Sequence, residues 1–352
     1  MKHPDVWLAP GLAFLLAAMG MATLPIAIHH EAPHNQTDLM LTALPYVVGG
    51  LIGIVLWLLV ERTHFDPAKA PPLFWLVATV AAMMLSQAWP TDYGRHQYPF
   101  EVDPILVGLP FFATFITGLS KRMDHDAPPM AWLCVLGGAG LMNLATWMGA
   151  ILIPSIHVLL FPTLLLLAQN ATLRRIGMVS VAGAILVLAL ILIDRPFMFF
   201  RILNAMTPSM TMWQDPLGVG YQSVHIWQVL HNLSWFGSNL EIHLPEATRQ
   251  LLPVVVANRF GGLALAGLFG VIAFWFYLTR PTKQAGTPLN RMGDMVWWTL
   301  LYFAILNMGG NLLVIGLFGP GMPMYGSNPA LLALALLVAA IRAQHRPAEA
   351  KP

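Results

Sequence analysis

Charge is what this sequence has least of. Asp, Glu, Lys and Arg make up 10% of the 352 residues, against 57% apolar residues, a balance far from that of a water-soluble domain. A soluble core could not use so much apolar surface, so the solvent for most of the chain is lipid. The formal net charge is only +2 and no basic tract occurs, which excludes nucleic acid as a partner. The one cysteine, Cys134, lies in an apolar run, so no intrachain disulfide can form. No internal repeat, low-complexity tract or separate soluble domain interrupts the chain, and 1–352 is expected to be a single membrane domain. Nor is a cleavable leader expected, because MKHPD is feebly positive and the run from Val6 to Ile28 outlasts a signal core.

What the sequence has in abundance is apolar runs of spanning length. Ten windows qualify, at about 6–28, 37–60, 72–89, 103–120, 129–153, 155–170, 178–194, 253–278, 294–318 and 328–341, the fifth and sixth parted only by Pro154. The expected fold class is therefore all-α: a polytopic integral membrane protein of ten transmembrane helices with a long outer loop between helices 7 and 8. Basic residues test the count independently. With the N-terminus in the cytoplasm, the inner segments carry Lys2, Arg62, Lys69, Lys121, Arg122, Arg174, Arg175, Arg280, Lys283, Arg291, Arg342, Arg346 and Lys351. The short outer connections carry only Arg95, while Arg195, Arg201 and Arg249 fall in the long loop and Arg259 inside span eight. Long loops are exempt from the positive-inside rule, so thirteen inner residues stand against one. Both termini are expected in the cytoplasm.

Two outer regions exceed what a connection needs. One, 90–102, reads PTDYGRHQYPFEV; the other, 195–252, is long enough to carry function. Within the second, VHIWQVLHNLSWF places Ile226, Leu230 and Leu233 at helical spacing, flanked by Trp227 and Trp235. That pattern suits an amphipathic helix lying in the membrane interface.

The second region also carries motifs. From Asp215 the chain reads DPLGVGYQ, then LPEATRQLLPVVVANRFG, then GLFGPGMPMYGS. These resemble the shape, elongation, division and sporulation (SEDS) family of RodA/FtsW-like proteins. Asp215-Pro216, Gly218, Gly220-Tyr221-Gln222, Gly237, Leu244-Pro245-Glu246-Ala247 and Gly261 fall on the family pattern, with Arg201-Ile202 just upstream. Gly316-Leu317, Gly321-Met322-Pro323 and Tyr325-Gly326-Ser327 resemble a contracted form of its last outer loop. The likeness is specific over roughly 201–327 and topological before that. It implies a protein of the bacterial inner membrane, in cell wall synthesis, cell shape or division, that handles lipid II, a polyprenyl diphosphate sugar, at the outer face. It also implies glycan polymerisation, with a class B penicillin-binding transpeptidase as partner and membrane lipid around it.

That chemistry needs a base for the acceptor hydroxyl and a cation, from Arg, Lys or a divalent metal such as Mg or Mn, for the leaving diphosphate. The family's base is the Asp of its HTDF element. Here Thr248, Arg249 and Gln250 stand in those places, and a carboxamide cannot take a proton. Two further family acids are also replaced, at Pro104 within FEVDPILV and in the TWMG stretch Thr146–Gly149. Glu246 is either a substitute base or an acid favoured by a helix N-terminus. Arg201, Arg95 and Arg249 are candidates for the diphosphate or, alternatively, for lipid phosphates. Tyr221, Gln222 and Asn311 complete the candidate substrate site. No resident metal site is expected: His29, His30 and His34 read as a solvated turn, and Met206, Met210 and Met212 as packing. The reading is a lipid II polymerase relative with Gln250 in the catalytic place. The alternatives are a non-catalytic scaffold of the division or elongation machinery, and a transporter of lipid-linked precursor.

Overall fold

A computed structural model describes residues 7–30, 39–63, 69–87, 91–92, 95–96, 104–120, 178, 181–182, 185, 189, 192, 212–217, 220–244, 247–248, 250–281, 287–314, 323–326 and 328–345. The expected spans at 129–153 and 155–170 and nearly all of that at 178–194 lie outside the described residues. So do Arg201, Glu246 and Arg249 and the stretches Phe100–Asp103 and Thr146–Gly149.

Among the described residues the architecture is helical. The helices are α1 (Leu8–His30), α2 (Leu39–Thr63), α3 (Pro72–Gln87), α4 (Pro104–Ser120), α5 (Tyr221–His231), α6 (Leu252–Leu278), α7 (Pro288–Asn311) and α8 (Pro329–His345). One two-residue ladder interrupts the all-α pattern: β1 (Thr91–Asp92) pairs antiparallel with β2 (Arg95–His96) in the first outer region. Three helices, α1, the 42–62 part of α2, and α6, are long and apolar enough to cross a membrane. At about 1.5 Å per residue, the 23 residues of α1 reach about 35 Å, more than a hydrocarbon core of about 30 Å. Helices α3 and α4 are shorter and pack on each other, with Trp75 stacked on Phe111 at 6.4 Å and Gly118 against the ring of Pro72.

The chain forms two compact units, Met1–Leu51 with Arg195–Leu278 and Leu300–Ala335, and Ile52–Asp194 with Thr279–Thr299 and Leu336–Pro352. In the first, α1 packs on α6, and the Trp275 indole donates to the Ala9 carbonyl at 3.0 Å. A segment between α7 and α8 enters this unit. Met324 and Tyr325 are buried there; the Tyr46 hydroxyl donates to the Tyr325 carbonyl at 2.7 Å, and Gly20 leaves room for that same carbonyl. Gly20 lies ten residues before the end of α1, a helix long and apolar enough to cross a membrane, so this non-helical backbone packs against the middle of a candidate span. At such depth backbone of this kind is stable only inside protein or a wet cavity. The Thr23 hydroxyl donates to the Gly20 carbonyl, so it accepts from Tyr325 Oη at 3.1 Å.

In the second unit Arg342 is held by Asp294 and by the Thr279 carbonyl, its Nε donating to the latter at 3.0 Å. Trp297 donates to the Thr279 hydroxyl at 3.1 Å. One of the basic residues assigned to the inner face is therefore neutralised inside protein.

Two glycines one turn apart let α8 approach α2. A Cβ at Gly49 would overlap Pro329, and one at Gly53 would overlap Leu336, which is the small-xxx-small contact of membrane helices. Residues 331–342 of α8 are buried on every face, as expected of a helix that is apolar all round.

Two boundaries differ from the sequence expectation. Span nine was placed at 294–318 with a break expected before its end, in the Gly- and Pro-containing stretch from Gly309; α7 starts at Pro288 and stops at Asn311, within that stretch. After Gly309-Gly310 the chain closes by Val314 N to Gly309 O at 2.9 Å, with Leu313 at φ 55, a C-terminal turn that satisfies the last carbonyls. In α5 the buried face is Ser223, Val224, Ile226 and Val229. Leu230 is half-buried and Leu233 lies beyond the helix, exposed, because the helix ends at His231 before the expected stripe is complete.

Candidate functional site

The motif residues lie at helix ends: the DPLGVGYQ stretch leads into α5, and Gln250 lies just before α6 and against the end of α7. Asp215 and Gly220 close a turn, Gly220 N donating to Asp215 O at 2.9 Å, and α5 starts at Tyr221 directly after it. Gly220 has an ordinary φ of −80, so its lack of a side chain serves close approach: a Cβ would overlap the Met212 backbone. Tyr221 and Gln222 are half-buried. The Tyr221 ring lies 4.3 Å from that of His225, which also hydrogen-bonds the Tyr221 carbonyl at 2.9 Å.

The LPEATRQ segment is anchored at both ends. Leu244 N donates to the His30 carbonyl at 2.8 Å, and His30 Nδ1 meets the Ile242 carbonyl at 3.0 Å. A carbonyl only accepts, so His30 is the Nδ1–H tautomer in that bond. Leu244, Ala247, Thr248 and Leu251 are buried and Gln250 is half-buried. Helix α6 begins only at Leu252, so Gln250 lies in a turn and not on a helix. Ala247 and Thr248 are likewise in turns.

Gln250 and Asn311 come together, through the main chain. The Asn307 and Asn311 side-chain amides both donate to the Gln250 carbonyl, at 3.0 and 2.9 Å. Asn311 Nδ2 also reaches the Asn307 carbonyl at 2.7 Å, while Asn311 Oδ1 is buried and meets no partner among the described residues. Sequence spacing links Asn311 to Gly316-Leu317; its geometry ties it to Gln250. The pair of asparagines fixes the register of the turn that holds Gln250.

Sequence reasoning missed the next feature. Helix α6 is broken at Gly261, with φ 87 and ψ −176, a conformation essentially restricted to glycine. The segment 234–240 runs along the break and satisfies what the break frees. Gly262 N donates to Ser234 O at 2.9 Å, and Ser238 N and Asn239 N donate to Asn258 O at 2.9 and 3.0 Å. The buried Asn258 side chain completes the join: its Oδ1 accepts from Ser238 Oγ and Leu240 N, and its Nδ2 donates to Leu240 O, all at 3.0 Å. Gly237, at φ 102, has the Arg259 carbonyl where a Cβ would stand. The glycines at 237 and 261 are visible as family matches; that they face each other is not.

Of the other predicted residues, Arg95 lies on β2 and its side chain is outside the description, while Arg201, Arg249 and Glu246 are outside it altogether. Among the described residues no group of three or more His, Cys, Asp or Glu is placed to hold a metal ion.

No protein-family model matches the chain. It is 28% identical over 186 residues to a protein of Thiomicrospira cyclica named probable peptidoglycan glycosyltransferase FtsW, covering 45% of this chain and 46% of that one. It is 29% identical over 170 residues to the protein of the same name in Nitrosomonas europaea, covering 43% and 42%. The chain thus spans about half the length of the curated relatives it matches. In structure it resembles a chain of a peptidoglycan synthase complex, with TM-score 0.66, 16% identity and 97% and 98% of the two chains covered. The rod shape determining protein RodA of Thermus thermophilus is similar too, with TM-score 0.59, 15% identity and 97% of each chain covered. In sequence over somewhat less than half its length, and in fold over nearly all of it, this chain is similar to RodA/FtsW-like proteins.

Proposed function

We propose that the protein handles lipid II or a related polyprenyl diphosphate sugar at the outer face of the bacterial inner membrane, in cell wall synthesis. It does so as a ten-span bundle with both termini in the cytoplasm. The observation that carries this reading is the ordered set Asp215-Pro216, Gly220-Tyr221-Gln222 and Leu244-Pro245-Glu246-Ala247 in the sequence, the first leading into α5 and the last lying shortly before α6. In this reading Arg95, Arg201 and Arg249 meet the diphosphate, with Tyr221, Gln222 and Asn311 beside the sugar. A divalent cation such as Mg or Mn, were one bound, would share the leaving-group charge with those arginines. Gln250 occupies the place of the base and can only hydrogen-bond there. Glycan polymerisation by this chain is therefore weak or absent unless Glu246 supplies the carboxylate.

A non-catalytic role is favoured by the same Gln250. The site would then bind the lipid precursor for a partner of the division or elongation machinery, with a class B penicillin-binding transpeptidase as the partner class.

Binding and polymerisation separate the readings. The purified full chain is titrated with lipid II, then incubated with it, alone and with a transpeptidase partner, with and without Mg or Mn. Lipid II binding with little polymer is expected, and Gln250→Asp should raise polymer yield. Absence of lipid II binding would remove the reading. If the wild type does polymerise, Glu246→Gln must abolish it, or Glu246 is not the base.

A further inference from the structure

The break in α6 carries an apolar surface that stays exposed among the described residues. Trp235 is 70% exposed, Phe236 82%, Phe260 46% and Leu263 52%, with Leu233 beside them. They form one patch, because the backbone bonds of Ser234 and Trp235 to Gly262 and Leu263 bring the segment 233–237 onto the break. Gly262 faces the Leu233 side chain and Gly261 the Trp235 backbone. The Ser234 hydroxyl donates to the Gly237 carbonyl at 2.6 Å, which closes a tight turn with Trp235 and Phe236 at its tip. Rigid aromatics presented on a fixed turn form a built surface.

Arg259 gives its level. It is exposed, and the 19 residues after it, Phe260–Leu278, carry no charge. At about 1.5 Å per residue the unbroken helix from Gly262 to Leu278 measures about 25 Å, most of a hydrocarbon core. Arg259 therefore stands at one end of an apolar stretch of near-spanning length, and the turn bonded to Gly262 and Leu263 lies just inside that end. The patch continues into the exposed face of α6, where Phe274 and Tyr277 follow Leu263. Arg259 is steered to the polar edge by its bond to Asn239 Oδ1 at 2.7 Å.

We propose that the Ser234–Asn239 turn is a membrane anchor. Trp235 and Phe236, with Phe260 and Leu263, enter the boundary between headgroups and acyl chains, and Arg259 meets phospholipid phosphate above them. The occupant is the bilayer itself. Continuity with the lipid-facing side of α6 and the charge order, aromatics inside and guanidinium outside, both fit that medium. Through Asn258 the anchor fixes the depth of the α6 break, independently of what the site binds.

Spin-label depth in phosphatidylethanolamine/phosphatidylglycerol vesicles tests this with the full chain. A nitroxide is placed at Phe236→Cys in a Cys134→Ser background, and for comparison at Glu241→Cys. At 236 molecular oxygen should relax the label several-fold more than a water-soluble nickel chelate; at 241 the order should reverse. Adding Arg259→Gln should shift the 236 label toward water. A 236 label reached mainly by nickel, or shielded from both agents, overturns the anchor, and indifference to Arg259→Gln overturns its phosphate contact. Benzoylphenylalanine in place of Phe236, irradiated in native membranes, supplies an independent readout. Adducts with lipid alone support the proposal, and a discrete protein adduct overturns it.

Discussion

Replacing Asn258 by Ala removes the side chain that joins the segment 234–240 to α6. The wild-type residue is buried and makes three side-chain hydrogen bonds, two of them to the Leu240 backbone. A hydrogen bond contributes about 0.5–1.5 kcal/mol net. The three together give about 1.5–4.5 kcal/mol, and the lower half applies because Leu240 is only half-buried and water can replace part of what is lost. About 2 kcal/mol is therefore expected, or roughly 30-fold in a local opening equilibrium. Two further bonds, from Ser238 N and Asn239 N to the Asn258 carbonyl, survive the substitution, so the segment should loosen and not detach. Amide hydrogen exchange in nanodiscs reads this directly. Exchange at the Leu240 amide should rise roughly 30-fold, while the α6 amides beyond Leu263 should not change. Asn258→Asp keeps the acceptor, loses the donor and should fall between. A change below about threefold at Leu240 would mean that the side chain is not what holds the segment, and the account of the break would fail.

Four other perturbations have definite outcomes. Gly261→Ala forces an alanine into a glycine-only conformation and onto the Trp235 backbone; a loss of at least about 1–3 kcal/mol in unfolding free energy is expected in detergent. Gly53→Leu should separate α2 from α8 and lower the thermal midpoint more than Gly11→Leu, since a Cβ at Gly11 meets nothing. Tyr46→Phe leaves the buried Tyr325 carbonyl without its donor, a cost of about 1–3 kcal/mol measurable by unfolding. Arg342→Met strands Asp294 and should cost about 3–5 kcal/mol, whereas Arg342→Met with Asp294→Leu should recover much of it.

The helices were legible because spanning length and lack of charge leave few alternatives. The windows at 6–28, 37–60, 253–278 and 328–341 reappear as α1, α2, α6 and α8 within a few residues. Hydropathy could not see where helices stop inside apolar sequence. Leu312, Leu313 and Val314 continue the run, yet the chain leaves α7 there for a turn with Leu313 in the left-handed region. It also could not see the break at Gly261, because the apolar pattern runs through it and the compensating bonds come from residues 234–240. At the site, sequence named Gln250 and Asn311 separately. Their meeting depends on a backbone carbonyl, which has the same letter in every residue and leaves no mark on the pattern.

Residues 331–342 of α8 have no side left for solvent, and small residues on α2 are what admit them. Gly49 and Gly53 keep that wall shallow enough for Pro329 and Leu336. The tolerance of this protein for change is therefore low even where no chemistry happens, and a bulky side chain on the α2 wall would show as lost folding yield before any loss of chemistry.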